Sequence, residues 1–137
     1  MDRTVVERKL EVLRHCLLRL RAKRPASAQL LAADADLQDV LVLNLSRAVQ
    51  VCVDIGTHLL AGSDQPVPMT MGETFVCLSQ AGMISAESAN RLRQAVGFRN
   101  IAVHNYDVID WDIVFALTGE PLQDFDRFAV EVSLHPR

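Results

Sequence analysis

Arg99, His104 and Tyr106 stand within the eight-residue run Arg99-Asn100-Ile101-Ala102-Val103-His104-Asn105-Tyr106. Arginine offers a fixed fork of donors that matches a phosphate. Histidine exchanges protons near neutral pH. Tyr106 is the one tyrosine of the chain and brings a hydroxyl able to act as nucleophile or acceptor. Together these side chains are equipment for chemistry at a phosphate. A plainer reading stays open beside it, in which Arg99 pairs with Asp107 or another acid, His104 caps a helix end and Tyr106 packs.

Other groupings are weaker. Asp54 and His58 are four apart and share a helix face, the spacing of an acid–imidazole pair, but they read better as an ordinary surface or interface pair. Arg47 and Asp54 lie seven apart on one stripe with Asn44 and Val51, a candidate supporting layer for the site together with Asn100. Asn44 sits inside an apolar run and reads as a satisfied core or interface amide. His15, His58, His104 and His135 do not cluster at ligand spacing, and Cys16, Cys52 and Cys77 form no Cys-x-x-Cys pair, so neither a metal site nor a cofactor is expected.

These residues must be positioned by helices. Val6, Leu10, Leu13, Leu17 and Leu20 make a single apolar stripe that predicts a first helix over 2–23, stopped by Arg24-Pro25. A short turn of helix is expected over 27–33. The helical apolar period from Leu37 to Leu59 predicts a long helix over 36–61, closed by Gly62. Leu43, Leu45, Val49 and Val53 widen its apolar surface on a second side, which calls for cover from the core and from a second subunit. Thr70 and Glu73 have the spacing of a capping box, so a helix is expected over 73–80. Ser85 caps the next helix, which carries the motif and runs to about 104. Asp107 or Asp110 caps a further piece through Leu117, Thr118-Gly119 interrupts it, and Pro121 restarts the last helix. The expected fold is an all-α antiparallel bundle of four to five helices forming one domain over 1–137.

Composition agrees. Half of the 137 residues are apolar and 23% are charged, which is globular rather than disordered. No signal peptide and no membrane span is expected, and three separated cysteines in apolar stretches read as buried, reduced thiols, so the expected location is cytoplasmic. The net charge of −3 hides an asymmetry: residues 1–24 carry eight bases and three acids, residues 100–137 seven acids and two bases. A basic first helix would steer a polyanion, but its charges are better read as a solvated face that pairs partly with the acidic C-terminal part.

The segment Phe98-Arg99-Asn100-Ile101-Ala102-Val103-His104-Asn105-Tyr106 resembles the HepT family of the HEPN superfamily, whose motif of Arg, four residues, His, one residue and Tyr it matches without departure. The run from Leu43 to Leu59, the loop with Pro66 and Pro68, Glu73-Thr74-Phe75, Val108-Ile109-Asp110 and the Asp124-Phe125 region are also similar to the family, so the resemblance spans most of the chain. It implies the ribonuclease toxin of a toxin–antitoxin pair, a symmetric homodimer with the motif at the subunit interface, and a minimal nucleotidyltransferase antitoxin as partner. By position it implies Arg99 and His104 as the catalytic pair and Tyr106 as the hydroxyl that the partner modifies with AMP. The RNA substrate would be a tRNA or an mRNA.

At about 100° per residue, Arg99 and Tyr106 would lie roughly 20° apart on a regular helix, and Arg99 and His104 about 140° apart. One copy then does not aim Arg99 and His104 at a single phosphate, so either the helix ends before His104 or two copies meet across a twofold axis. RNA carries its own nucleophile: a neutral His104 would take the 2′-hydroxyl proton while Arg99 stabilises the phosphoryl oxygens, with no need of a metal. The alternative function is a non-catalytic helical module that binds a nucleotide or substrate and docks a nucleotidyltransferase. A purely structural dimeric bundle is a third reading.

Overall fold

The computed structural model describes residues 3–134, and among them every regular element is helical. In chain order the helices are α1 (Arg3–Lys23), α2 (Ala28–Ala32), α3 (Ala35–Leu60), α4 (Met71–Gln80), α5 (Ala86–His104), α6 (Trp111–Leu117) and α7 (Gln123–Ser133), with single 3-10 turns at Tyr106–Val108 and Glu120–Leu122. Five of them have ten residues or more, which is the bundle expected from the apolar period. Local chemistry sets the boundaries. Ser27, Asp34, Thr70, Ser85 and Asp110 each accept a backbone N–H of the first turn that would otherwise lack a partner. Asp34 rather than a later residue opens α3. At α4, Glu73 reaches back to the Met69 N–H at 2.6 Å, one residue earlier than the standard capping box.

The longest helix, α3, forms the centre, with α1 lying along one side and α4 and α5 along another. It is long and apolar enough to cross a membrane by length and composition, yet 61% of its most apolar stretch is buried by the rest of the fold. This corrects the expected need for a second subunit along α3. Leu45, Val49 and Val53 are covered within the chain, and of the second-side residues only Leu43 stays open, at 49% exposure. Asn44 is buried and donates to the Val40 carbonyl one turn back, so it is satisfied inside its own helix. Cys16, Cys52 and Cys77 are all free and buried; burial pushes the Cys16 and Cys52 thiols up from their ordinary range.

Where α3 meets α4 the backbones come close at Gly56. A Cβ there would sit 2.6 Å from Thr74 Cγ2 and 2.8 Å from Leu78 Cδ1, and both of those side chains are buried and unable to swing clear. In a free helix interior Gly→Ala stabilises by roughly 0.5–1 kcal/mol. Gly56→Ala is instead expected to destabilise by about 1–3 kcal/mol through overpacking, read as a lower denaturant midpoint with an unchanged slope.

The basic N-terminal part pairs in part with the rest of the fold. Arg21 pairs with Asp126 of α7 at 2.5 Å, and Arg3 and Arg14 pair with Glu7 and Glu11 on their own helix. Arg24 donates to the Phe115 carbonyl at 3.0 Å and to Thr118 Oγ1 at 3.2 Å while stacking 3.7 Å over the Phe115 ring. It therefore satisfies the carboxyl end of α6, where free carbonyls and the helix dipole favour a cation.

Candidate functional site

α5 carries the motif and remains α-helical through His104. The possibility that the helix ends before His104 is thus removed, and Arg99 and His104 leave it about 140° apart around its axis. Helical geometry fails one residue later. Asn105 takes φ −140° and ψ 54°, its N–H still bonded to Ile101 O at 2.8 Å, and the chain turns through Tyr106–Val108 into the Asp110 cap of α6. Tyr106 is off the α5 line, so the near-alignment of Arg99 and Tyr106 expected from a regular helix does not hold. Its ring instead stands edge-on to Trp111, with centroids 6.1 Å apart, and its hydroxyl donates to Asp39 Oδ1 of α3 at 2.8 Å. Desolvation by partial burial, then the hydrogen bond to Asp39 and the Asp39 charge, push the phenol up to about 12. A raised phenol holds its proton better in the folded chain. Its contribution to stability is therefore complete below the ordinary value of 10.0 and is lost as pH rises toward about 12.

Arg99 is half-buried between α5 and α3. Its Nη1 donates to Asn100 Oδ1 at 3.3 Å and its Nη2 to Gln50 Oε1 at 3.4 Å. Gln50 Nε2 donates to Asp54 Oδ1 at 2.9 Å, and Asp54 Oδ2 lies 3.7 Å from Lys9 Nζ. Two neutral amides thus orient the guanidinium, and among the described residues no carboxylate pairs with it. The plain reading in which Arg99 pairs with Asp107 fails on this point. Its charge stays available to an incoming phosphate. His104 is exposed at the end of α5, with no hydrogen bond or ion pair to the described residues. An imidazole so placed is free to accept a proton from a ligand.

Of the candidate supporting residues, Asn100 touches Arg99 directly and Asp54 reaches it through Gln50. Arg47 is not joined to them: it is exposed, and its charge acts on the Cys16 thiol of α1. Asp54 and His58 do not pair, since both Asp54 oxygens are turned to Gln50 and Lys9, while His58 Nε2 is buried without a partner. Beside the motif, Phe98, Ile101, Val108 and Ile113 line an apolar cavity of about 360 Å³. Ile101, Val103, Val108 and Ile113 are also exposed, which leaves apolar surface open around the end of α5. Among the described residues no three His, Cys, Asp or Glu side chains converge.

The model of the family described as Ribonuclease HepT-like matches residues 8–132. The chain belongs to the HepT-like ribonuclease family. It is 31% identical over 124 residues to the mRNA nuclease HepT of Shewanella oneidensis, covering 90% of this chain and 92% of that protein. It is 24% identical over 133 residues to the tRNA nuclease HepT of Aphanizomenon flos-aquae, covering 97% and 90%. Its fold matches, with a TM-score of 0.91 and 29% identity, the tri-AMPylated Shewanella oneidensis HEPN toxin solved in complex with an MNT antitoxin, over 98% of this chain and all of that one.

Within this HepT-like chain, two residues of the polar cluster escaped the reading of the motif. Gln50 had a local signal, its spacing of four from Asp54 on one helix. Asp39 had none, being 67 residues from the tyrosine it holds.

Proposed function

We propose that this HepT-like chain, acting as one domain over 1–137, is the endoribonuclease toxin of a toxin–antitoxin pair, working without a metal. The observation that carries this is the state of two side chains on α5: Arg99 oriented by neutral amides with its charge unspent, and His104 exposed without a protein partner. His104 takes the proton of an RNA 2′-hydroxyl. The 2′-oxygen attacks the adjacent phosphorus, Arg99 stabilises the charge growing on the phosphoryl oxygens, and the bond to the 5′-oxygen breaks. The product is a 2′,3′-cyclic phosphate with a free 5′-hydroxyl.

The divergence of Arg99 and His104 on one regular helix supports a symmetric homodimer that pools two copies of each. In that arrangement the second copy's His104 supplies the proton to the leaving oxygen. The apolar surface around Ile101, Val103 and Val108, rather than the second side of α3, suits the contact between copies. The controlling partner is a minimal nucleotidyltransferase that adds AMP to Tyr106, a residue 42% exposed at the surface. The site of action is the cytoplasm, where RNA and nucleotide are both present.

The test is cleavage of a tRNA and an mRNA transcript by the purified chain in EDTA. Cleavage with cyclic-phosphate ends is expected. Intact RNA in EDTA that is cut when magnesium is restored would overturn the metal-free mechanism, and intact RNA under both conditions would favour the non-catalytic docking module.

A further inference from the structure

We propose that Asp39 is the general base that removes the proton of Tyr106 when this chain is modified by nucleotide transfer, an inference that rests on the reading of Tyr106 as the modified residue. The geometry is direct: the phenol donates to Asp39 Oδ1 at 2.8 Å, and the pair lies at the surface where α3 meets the turn after α5. Among the described residues no cation pairs with Asp39 and no other hydrogen bond engages it, so its capacity to accept a proton is not consumed elsewhere. The edge-on contact with Trp111 fixes the ring from the other element of the turn. A phenol whose proton is held up to about 12 is almost wholly neutral near pH 7 and a poor nucleophile by itself. It needs a base in contact at the moment of attack, and Asp39 is already in contact. The other titratable groups carried nearby in the chain are His104 on α5, Asp107 on the turn, Asp110 and Asp112 at the start of α6 and Asp36 on α3; Asp39 is the one whose charge acts on the phenol.

In the step, Tyr106 Oη attacks the α-phosphorus of a nucleoside triphosphate held by the transferase. The Oη–P bond forms, the bond from the α-phosphorus to the oxygen bridging to the β-phosphate breaks, and pyrophosphate leaves. The phenolic proton passes to Asp39 Oδ1 and from there to solvent.

The experiment uses the full chain with its nucleotidyltransferase and ATP, following the AMP-sized mass gain over time in the wild type, Asp39→Asn, Asp39→Glu and Tyr106→Phe, from neutral to alkaline pH. Asp39→Asn is expected to slow transfer about a hundredfold at neutral pH, the range typical of losing a general base. Its rate should then climb with pH as free phenolate forms, while the wild type stays nearly flat and Asp39→Glu recovers part of the rate. A merely structural role would lower the rate without changing the pH profile. Titration of the single tyrosine by phenolate absorbance gives a readout without the partner: in Asp39→Asn the phenol should fall part of the way from about 12, since the burial that raises it most is unchanged. Equal rates and identical pH profiles in wild type and Asp39→Asn would overturn the role of Asp39 alone. A wild type that gains no adduct on Tyr106 would overturn the reading of Tyr106 as the target, and the base with it.

Discussion

His104→Ala and Arg99→Ala are each expected to lower RNA cleavage by about a hundredfold or more, the usual cost of losing a positioned base or a donor aimed at developing charge. Both side chains can be removed without harming the fold. His104 is exposed at the last residue of α5, and among the described residues it is bonded to nothing and Arg99 makes two long hydrogen bonds, both to amides. Melting temperature and oligomeric mass should therefore stay near wild type while cleavage disappears. Arg99→Lys should not rescue, because an ammonium lacks the planar fork that Gln50 and Asn100 orient. If the two residues act across a twofold axis, mixing the inactive Arg99→Ala and His104→Ala chains restores part of the activity, since a mixed dimer holds one intact Arg99 facing one intact His104. Full activity in either single variant removes that residue from the chemistry. Mixing that restores nothing shows that one Arg99 facing one His104 across the axis does not suffice.

Tyr106→Phe is expected to leave a folded and toxic chain that the partner can no longer silence by modification. The ring keeps its edge-on seat against Trp111, and the loss is one surface hydrogen bond to Asp39. Exposure places that bond at the low end of the roughly 0.5–1.5 kcal/mol of a protein hydrogen bond. Tyr106 is the only tyrosine, so its removal takes away every phenolic acceptor in the chain. In the wild type an attached AMP would bring a phosphodiester charge and a bulky nucleoside to the end of α5, beside the proposed site at Arg99 and His104. Intact-mass measurement after co-expression with the nucleotidyltransferase checks this. The expected result is an AMP-sized gain on the wild type and none on Tyr106→Phe. An adduct that persists on Tyr106→Phe places the modified residue elsewhere. Growth arrest by Tyr106→Phe despite the partner is the matching expectation in cells, unless complex formation alone occupies the site.

The helices were legible because the interactions that make them are local. The Leu stripe of α1, the capping hydroxyl of Ser85, the Asp110 cap and the Pro121 restart all act over three or four residues and can be read in order along the chain. The motif was legible for the same reason, as Arg99, His104 and Tyr106 lie within eight residues. Two readings failed where they extended local geometry too far. The α-helical line was carried past Asn105, although the backbone leaves it there and aims Tyr106 at α3. The second apolar side of α3 reads as open to another subunit, whereas the chain's own helices cover Leu45, Val49 and Val53.

The sequence by itself determined the all-helical class, the order of the elements with their ends to within a few residues, and the family, and it sets Arg99, His104 and Tyr106 in one short run. Only the tertiary structure decided what holds them: Gln50 against Arg99 across 49 residues, and Asp39 against Tyr106 across 67. An apolar stripe states which face of a helix turns inward, but not which residue of a distant helix it meets. That depends on the rotation, offset and crossing angle at which two helices pack, and these follow from the fit of every side chain between them.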